Sequence, residues 1–390
     1  MLALEKDNCL LSKHLCLENN KFALLSERPS NTKWIGVKED HNDPLCVRTL
    51  YRLEGSEFNI VLPSHYANAY AALNSFSRIT DTNPWRIVDP VKRLSWARDF
   101  LRTTEKQLKD MDATYQMETF VPCTQVFNSL RPFKISKEIA DTDDPVASSF
   151  LANEDGFVKV PTYNRFGTRT GRTTVVAGPR VLTARIATRQ LLQPVDDNHA
   201  LVCLDYSALE ARVALALANN QVLASEDPYE IIAKKIKLKS REEAKSATLT
   251  AIYSDPTAND RLDVKVSLVR RVFKLGEMYL ALTKERNNLN GKVRNFYGRK
   301  IDVTGSDTLY NNYVQSTGAD VVLLGFLSLL SKIEQLQVVP HFLLHDALFV
   351  SVPKLYLRDL EVIGNAGVTV PKFNCVFPLK LTRLDQSAKL

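Results

Sequence analysis

Two aspartates each stand beside a short apolar run. Asp205 follows Ala200-Leu201-Val202-Cys203-Leu204, and Asp346 lies between Phe342-Leu343-Leu344 and Leu348-Phe349-Val350. Carboxylates fixed on a rigid sheet can hold two divalent cations. Between them in sequence come Arg241, Lys245, Leu249 and Tyr253, each four residues apart. On an α-helix that spacing sets all four along one broad face. Two cations and a phenol beside an apolar contact suit a triphosphate and a stacked base. The chemistry this equipment would serve is nucleotidyl transfer assisted by two metal ions.

Each feature also has an ordinary reading. An aspartate between strand and helix is a common N-cap. One at a hairpin tip is a common turn residue. A helix with a basic side is often simply solvated. The two aspartates act together only if their strands are neighbours, and sequence alone does not place them so.

The elements that would carry these residues read as follows. A helix over about 208–218 follows Asp205. Residues 227–300 are mostly helical, with 261–285 amphipathic. A turn at Tyr297-Gly298-Arg299-Lys300 and a long helix near 311–333 precede the final hairpin. Thr162 to Thr174 is polar, basic and threonine-rich, with strand propensity and glycine punctuation. Residues 66–139 look helical and charged, and residues 1–65 look like a small β-containing region of unknown role. The acidic stretch Asp141-Thr142-Asp143-Asp144-Pro145 marks a boundary loop.

The chain of 390 residues is long enough for several subdomains. Net charge is +7, which suits a polyanionic partner without specifying one. No apolar run approaches the roughly 20 residues that span a bilayer, so no membrane partner is expected. The start mixes both charge signs, unlike a secretory signal, and a cytoplasmic location is expected. The six cysteines are scattered and form no C-x-x-C pair, which disfavours zinc and a disulfide framework. Cys203 reads as a core residue, and His14, His41, His65, His199 and His341 as surface or packing residues. No phosphate-binding Gly-x-x-x-x-Gly-Lys loop or dinucleotide-binding Gly-x-Gly-x-x-Gly turn is present.

Taken in order, these segments resemble the family A DNA polymerases, the bacterial polymerase I class, and their phage-encoded members in particular. Asp205-Tyr206-Ser207-Ala208-Leu209-Glu210-Ala211-Arg212 resembles that family's motif A. Arg241-x-x-x-Lys245-x-x-x-Leu249-Thr250-x-x-Tyr253-Ser254 keeps the spacing of motif B, and His345-Asp346-Ala347 resembles motif C. Asn164 with Thr170-Gly171-Arg172, Asp227-Pro228-Tyr229, and Asn311-x-x-x-Gln315-Ser316-Thr317-Gly318-Ala319-Asp320 are similar to further family segments. The match runs from about residue 158 to the C-terminus, covers 66–157 only by position, and does not reach 1–65.

The resemblance implies an α+β right hand with an antiparallel-sheet palm, helical fingers and a helical thumb. The palm would take 158–226 and 301–390, the fingers 227–300 and the thumb 66–157. It implies two Mg²⁺ ions, with Mn²⁺ as a substitute, held by Asp205, Asp346 and the Tyr206 carbonyl. Arg241 and Lys245 would bind the triphosphate, with Lys245 placed to protonate the leaving group. Tyr206, Glu210, Tyr229, Leu249 and Tyr253 would surround the dNTP, Glu210 excluding a 2′-hydroxyl. Asn164, Arg172, Asn311, Gln315 and His345 would meet the primer–template. The implied setting is phage or mobile-element replication in the host cytoplasm, with an exonuclease or processivity factor encoded separately.

Departures from the family pattern are Leu249 for an aromatic residue, Thr250, Ser254 and Ser316 for glycines, Ala347 for a carboxylate and Asp307 for an arginine. They suggest a stiffer fingers helix and a slow or specialised enzyme. Thr250 leans toward a single-subunit RNA polymerase. Glu210 and Arg212, expected to act on sugar choice, lean toward DNA. A polymerase-derived protein that only binds primer–template is the remaining alternative.

Overall fold

In this computed structural model the structure describes residues 2–3, 14–18, 21–25 and 113–384, except 142, 166, 221, 255–262 and 304–308. Two units divide between Phe120 and Val121. In the first, β1 (Leu2–Ala3), β2 (His14–Glu18) and β3 (Lys21–Leu25) pair antiparallel in that order. The helices expected over 66–112, most of the segment 1–65 and Asp307 lie outside the described residues.

The second unit begins with α1 (Val121–Ser129). Its strands are β4 (Phe133–Ile135), β5 (Phe157–Val158), β6 (Thr162–Asn164), β7 (Thr174–Ala177), β8 (Leu192–Gln193), β9 (His199–Tyr206), β10 (Lys292–Arg294), β11 (Lys300–Asp302), β12 (Val339–Leu344), β13 (Ala347–Pro353), β14 (Val368–Thr369), β15 (Val376–Phe377) and β16 (Leu379–Arg383). Its helices are α2 (Ile186–Gln190), α3 (Leu209–Leu217), α4 (Pro228–Ile236), α5 (Arg241–Tyr253), α6 (Val264–Val272), α7 (Leu275–Asn288), α8 (Leu309–Lys332) and α9 (Leu357–Ala366). The class is mixed α and antiparallel β.

The organising sheet has the order β12-β13-β9-β16, antiparallel throughout. Both faces of β9 are covered, which is why its sequence is an unbroken apolar run rather than an alternation. Leu201 and Cys203 face a core with Phe133, Ile135, Phe342 and Phe349. On the other face Tyr206 packs against Phe326 of α8, with ring centroids 4.9 Å apart, and its hydroxyl donates to the Val322 carbonyl at 3.2 Å. A side chain at Gly325 would overlap the Tyr206 phenol, so α8 needs glycine there for this close approach.

Three sequence expectations change. Over its described residues the amphipathic stretch is two helices, α6 and α7, broken where Lys274 adopts φ 50°. Within the supposedly helical 66–139, Phe133–Ile135 is a strand that buries Phe133 and Ile135 and leaves Lys134 half-exposed between them. Helix α8 is long and apolar enough to cross a membrane by length and composition, against the expectation that no such segment exists. Its apolarity has another use, because most of it is buried inside the second unit.

Behind the sheet, His341 is fully buried, with Nε2 2.8 Å from Ser351 Oγ and Nδ1 3.3 Å from the Arg131 carbonyl. Ser351 Oγ accepts from the Val195 amide at 3.2 Å. A neutral ring with its proton on Nδ1 satisfies all three groups. Burial pushes its pKa down from 6.5 to about 4. Between those values the unfolded chain binds the extra proton, so stability rises with pH across that window. Acidification from pH 7 to about 4 should cost up to ~3 kcal/mol through this residue. Urea unfolding of the parent and His341→Asn at pH 7 and pH 4.5 checks it. The variant should lose that part of the slope, and identical slopes would exclude His341 as its source.

Candidate active site

Strand pairing settles whether the two aspartates meet. Ala347 lies opposite Asp205 in the β13–β9 ladder, and the Tyr206 amide donates to the Asp346 carbonyl at 3.4 Å. The two carboxylates therefore sit at the same end of adjacent strands. Neither ordinary reading survives. Asp205 lies within β9, whereas the N-cap of α3 is Ala208, with φ 53° and no side-chain cap. Asp346 shares a two-residue turn with His345, yet among the described residues its carboxylate accepts no hydrogen bond that would make it a turn-former. His345 takes φ 55°, a strained value for a non-glycine residue.

Crowding shows in the electrostatics. The Asp205 carboxyl is raised from 3.8 to about 6, first by desolvation and then by the charge of Asp346, with Lys380 and the Tyr206 amide opposing. The residue remains solvent-exposed, so it is open to a ligand from one side.

A cleft beside this sheet end is lined by Gly171, Arg172, Glu210, Gln315, His345 and Asp346. Arg172 donates to Glu210 at 2.6 Å, and the Tyr253 hydroxyl sits 2.6 and 2.7 Å from the two Glu210 oxygens. Gln315 donates to the Tyr253 hydroxyl at 3.2 Å. Four residues singled out from sequence thus form one hydrogen-bonded group that joins α3, α5, α8 and the loop before β7.

The helix expected to carry a basic face does so. Ser240 caps α5 by accepting from the Glu243 amide at 3.1 Å. Ala244, Ala247, Thr248, Ala251 and Ile252 are buried, which leaves Arg241, Lys245 and Tyr253 exposed and Leu249 half-buried on the other side. Lys245 makes no hydrogen bond or ion pair with any described residue. Arg241 pairs with Asp227 at 2.8 Å and stacks 5.2 Å from the centre of the Tyr229 ring. Asp227 also caps α4, accepting from the Tyr229 amide at 2.8 Å.

Asp205, Tyr206, Tyr229, Arg241, Lys245, Leu249 and Tyr253 do not line the cleft, although Tyr253 bonds to Glu210, which does. Nor do Asn164 and Asn311. Asn164 lies in the β6–β7 ribbon, where its carbonyl accepts from Thr174 at 3.4 Å. Asn311 is one turn before Gln315 on α8, and its Oδ1 is buried without a hydrogen-bond partner among the described residues.

Sequence reasoning missed the residues that fix the loop bearing Arg172. Asp320 is fully buried and pairs with Arg165 at 2.9 Å, while Asn295 donates to its other oxygen at 2.7 Å. Arg299 donates to the Arg165 carbonyl at 3.0 Å and packs its guanidinium on Gly171, whose φ of 79° suits glycine. A lone carboxylate in the apolar helix α8 was the available signal, because a buried charge demands a partner. Arg212, expected to act on sugar choice, is buried instead. It donates to the carbonyls of Ser207 and Leu223 at 3.0 Å each and Glu226 at 2.5 Å, bracing the turn after Asp205.

Several departures have local roles. The Thr250 hydroxyl donates to the Ser246 carbonyl at 3.0 Å and the Ser254 hydroxyl to the Thr250 carbonyl, while Arg270 donates to Ser254 Oγ at 3.0 Å. These bonds tie the end of α5 to itself and to α6. Ser316 accepts from Asn295 at 3.1 Å.

No protein-family model matches the chain. Among solved structures it is similar to the polymerase domain of Pol1 from M. smegmatis, in complex with DNA primer-template and dNTP. The TM-score is 0.45 and the identity 16%, over 62% of this chain and 51% of that one. The chain thus spans about half the length of that structure.

Proposed function

We propose that this chain is a template-directed DNA polymerase that adds dNTPs to a primer 3′-hydroxyl, with Asp205 and Asp346 as its catalytic carboxylates. One observation carries the reading: Asp205 near the end of β9 stands beside the β12–β13 turn that bears Asp346, and Asp346 lines a cleft with Glu210, Arg172 and Gln315. The second unit's four-stranded sheet would be the palm, and α4 to α7 the fingers.

The donor set fits a divalent cation. Both side chains are hard oxygen donors, and their crowding, visible in the raised Asp205 carboxyl, is what a cation relieves. Among the described residues no three His, Cys, Asp or Glu gather as ligands. Mg²⁺ accepts that poverty, since it usually takes one or two carboxylates and completes its shell with water and substrate phosphate. Only the backbone of Tyr206 is free to help, because its phenol is buried against α8. Bound ions would lower the pKa of the primer hydroxyl and offset charge on the triphosphate.

The chain's own residues would do the rest. Lys245 would meet the triphosphate and protonate the departing pyrophosphate, with Arg241 and Tyr229 beside it. Leu249 would contact the incoming base. Glu210, held by Tyr253 and Arg172, would crowd C2′ of the sugar. Gln315, His345, Asn164 and Asn311 would contact the primer–template.

Primer extension with dNTPs or rNTPs, with Mg²⁺ or with chelator, tests this. Extension should require Mg²⁺ and favour dNTPs. Glu210→Ala should raise the rNTP-to-dNTP ratio by roughly 10-fold or more, the size of a lost steric contact. A parent protein that prefers rNTPs would move it to the RNA polymerase reading. Duplex binding without any extension would leave only a binding role.

A further inference from the structure

The basic character of this chain is concentrated in one stretch. Residues 264–300 hold ten Lys/Arg and two Glu, a net of +8, against +7 for the whole chain. The rest is therefore slightly acidic, and the stretch forms α6, α7, β10 and the turn into β11. Part of its charge is spent internally: Arg294 pairs with Glu285, Lys265 with Glu243, and Arg270 bonds Ser254. Arg271, Lys274, Lys284 and Lys292 remain exposed.

Two clefts open along α7. One is lined by Ser267, Arg270, Arg271, Lys274, Glu277 and Tyr279. The other is lined by Lys274, Glu277, Glu285, Arg294, Phe296 and Tyr313, among others, its two rings half-buried, Phe296 against Phe373 and Tyr313 against the core around Leu282 and Val293. Lys274 and Glu277 belong to both, so the two adjoin. A cationic end therefore runs into an end bearing aromatic rings. Tyr313 and the cleft residue Gln315 sit two positions apart on α8, roughly 200° around the helix. The groove is thus on the other side of α8 from the candidate active site.

We propose that this groove binds single-stranded nucleic acid, with phosphates against Arg271 and Lys274 and bases stacked on Phe296 and Tyr313. Charge draws any polyanion, but rings beside cations suit unpaired bases, whose faces are covered in a duplex. The proposal goes beyond the catalytic reading and does not depend on it.

Fluorescence anisotropy of a labelled oligothymidylate, without dNTPs or divalent cation, tests it on the full chain. Arg271→Gln/Lys274→Gln should weaken binding and lower the salt slope by about 1.4, the share of two single-strand phosphate contacts. Phe296→Leu should weaken it at least about fivefold. Blunt duplex affinity should stay within about twofold in both, and thermal unfolding monitors their fold. Asp205→Asn should bind the oligonucleotide normally, so loss of extension and loss of this site read out separately. Unchanged oligonucleotide affinity in the double variant would overturn the proposal. So would an equal loss of duplex affinity, which would mean a diffuse field. A neutral Phe296→Leu together with displacement by polyglutamate would assign the groove to an acidic protein segment instead.

Discussion

Asp205→Asn and Asp346→Asn should each lower primer extension by about 10³-fold or more, since each removes a ligand for the charge developing on the triphosphate. The expected stability change makes the test sharper. A folded-state carboxyl raised from 3.8 to about 6 binds more protons folded than unfolded between those values. Stability from Asp205 therefore falls as pH rises through that window and stays lower above it. Asparagine removes the repulsion with Asp346. At pH 7 without divalent cation, Asp205→Asn should be more stable than the parent by on the order of 1 kcal/mol, a figure kept small because the carboxyl is exposed and screened. At pH 4 the difference should vanish. A residue serving as a helix cap would behave in the opposite way, losing stability on substitution. Steady-state extension and denaturant unfolding on the same preparations decide. Near-normal extension in either variant would end the two-carboxylate assignment.

How far the sequence revealed this arrangement depends on how local each feature is. Helix α5 was legible because the four-residue spacing of Arg241, Lys245, Leu249 and Tyr253 acts within a few turns, whereas its Ser240 cap and buried alanine face went unread. The run ending at Asp205 was legible as a strand because both its faces are covered. That β9 and β13 are neighbours was not, since 141 positions separate Asp205 from Asp346 and pairing is non-local. The break between α6 and α7 was hidden because Lys274, not glycine, takes the left-handed position. Helix α8 was legible as a long helix, but its fitness by length and composition to cross a membrane was not, and its burial depends on neighbours distant in sequence. Arg212 looked like a site residue by its place in a motif, yet its guanidinium is consumed by backbone carbonyls that no sequence pattern displays.

Lys245→Ala should then cut the maximal rate of nucleotide addition by roughly 10²- to 10³-fold, the range of general acid–base and electrostatic contributions. Arg241→Ala should act mainly on KM for the nucleotide. The asymmetry follows from what each side chain touches. Lys245 is exposed and has no ion-pair partner among the described residues, so its ammonium is available to a phosphate leaving group. Arg241 is already paired with Asp227, with both side chains partly exposed. Such pairs are worth about 0–1 kcal/mol, so a triphosphate with two metal ions would compete for the guanidinium with ease. Asp227→Asn should accordingly lower KM or leave it unchanged, although it also weakens the cap of α4. Because both cations lie on the exposed face of one helix and outside the cleft, they would reach the nucleotide only after the fingers close. Affinity for primer–template alone should therefore stay within about twofold in both variants. Single-turnover incorporation and duplex titration, run side by side, separate the outcomes. A parallel fall in duplex affinity would show that this face grips the nucleic-acid backbone and would remove it from the chemistry.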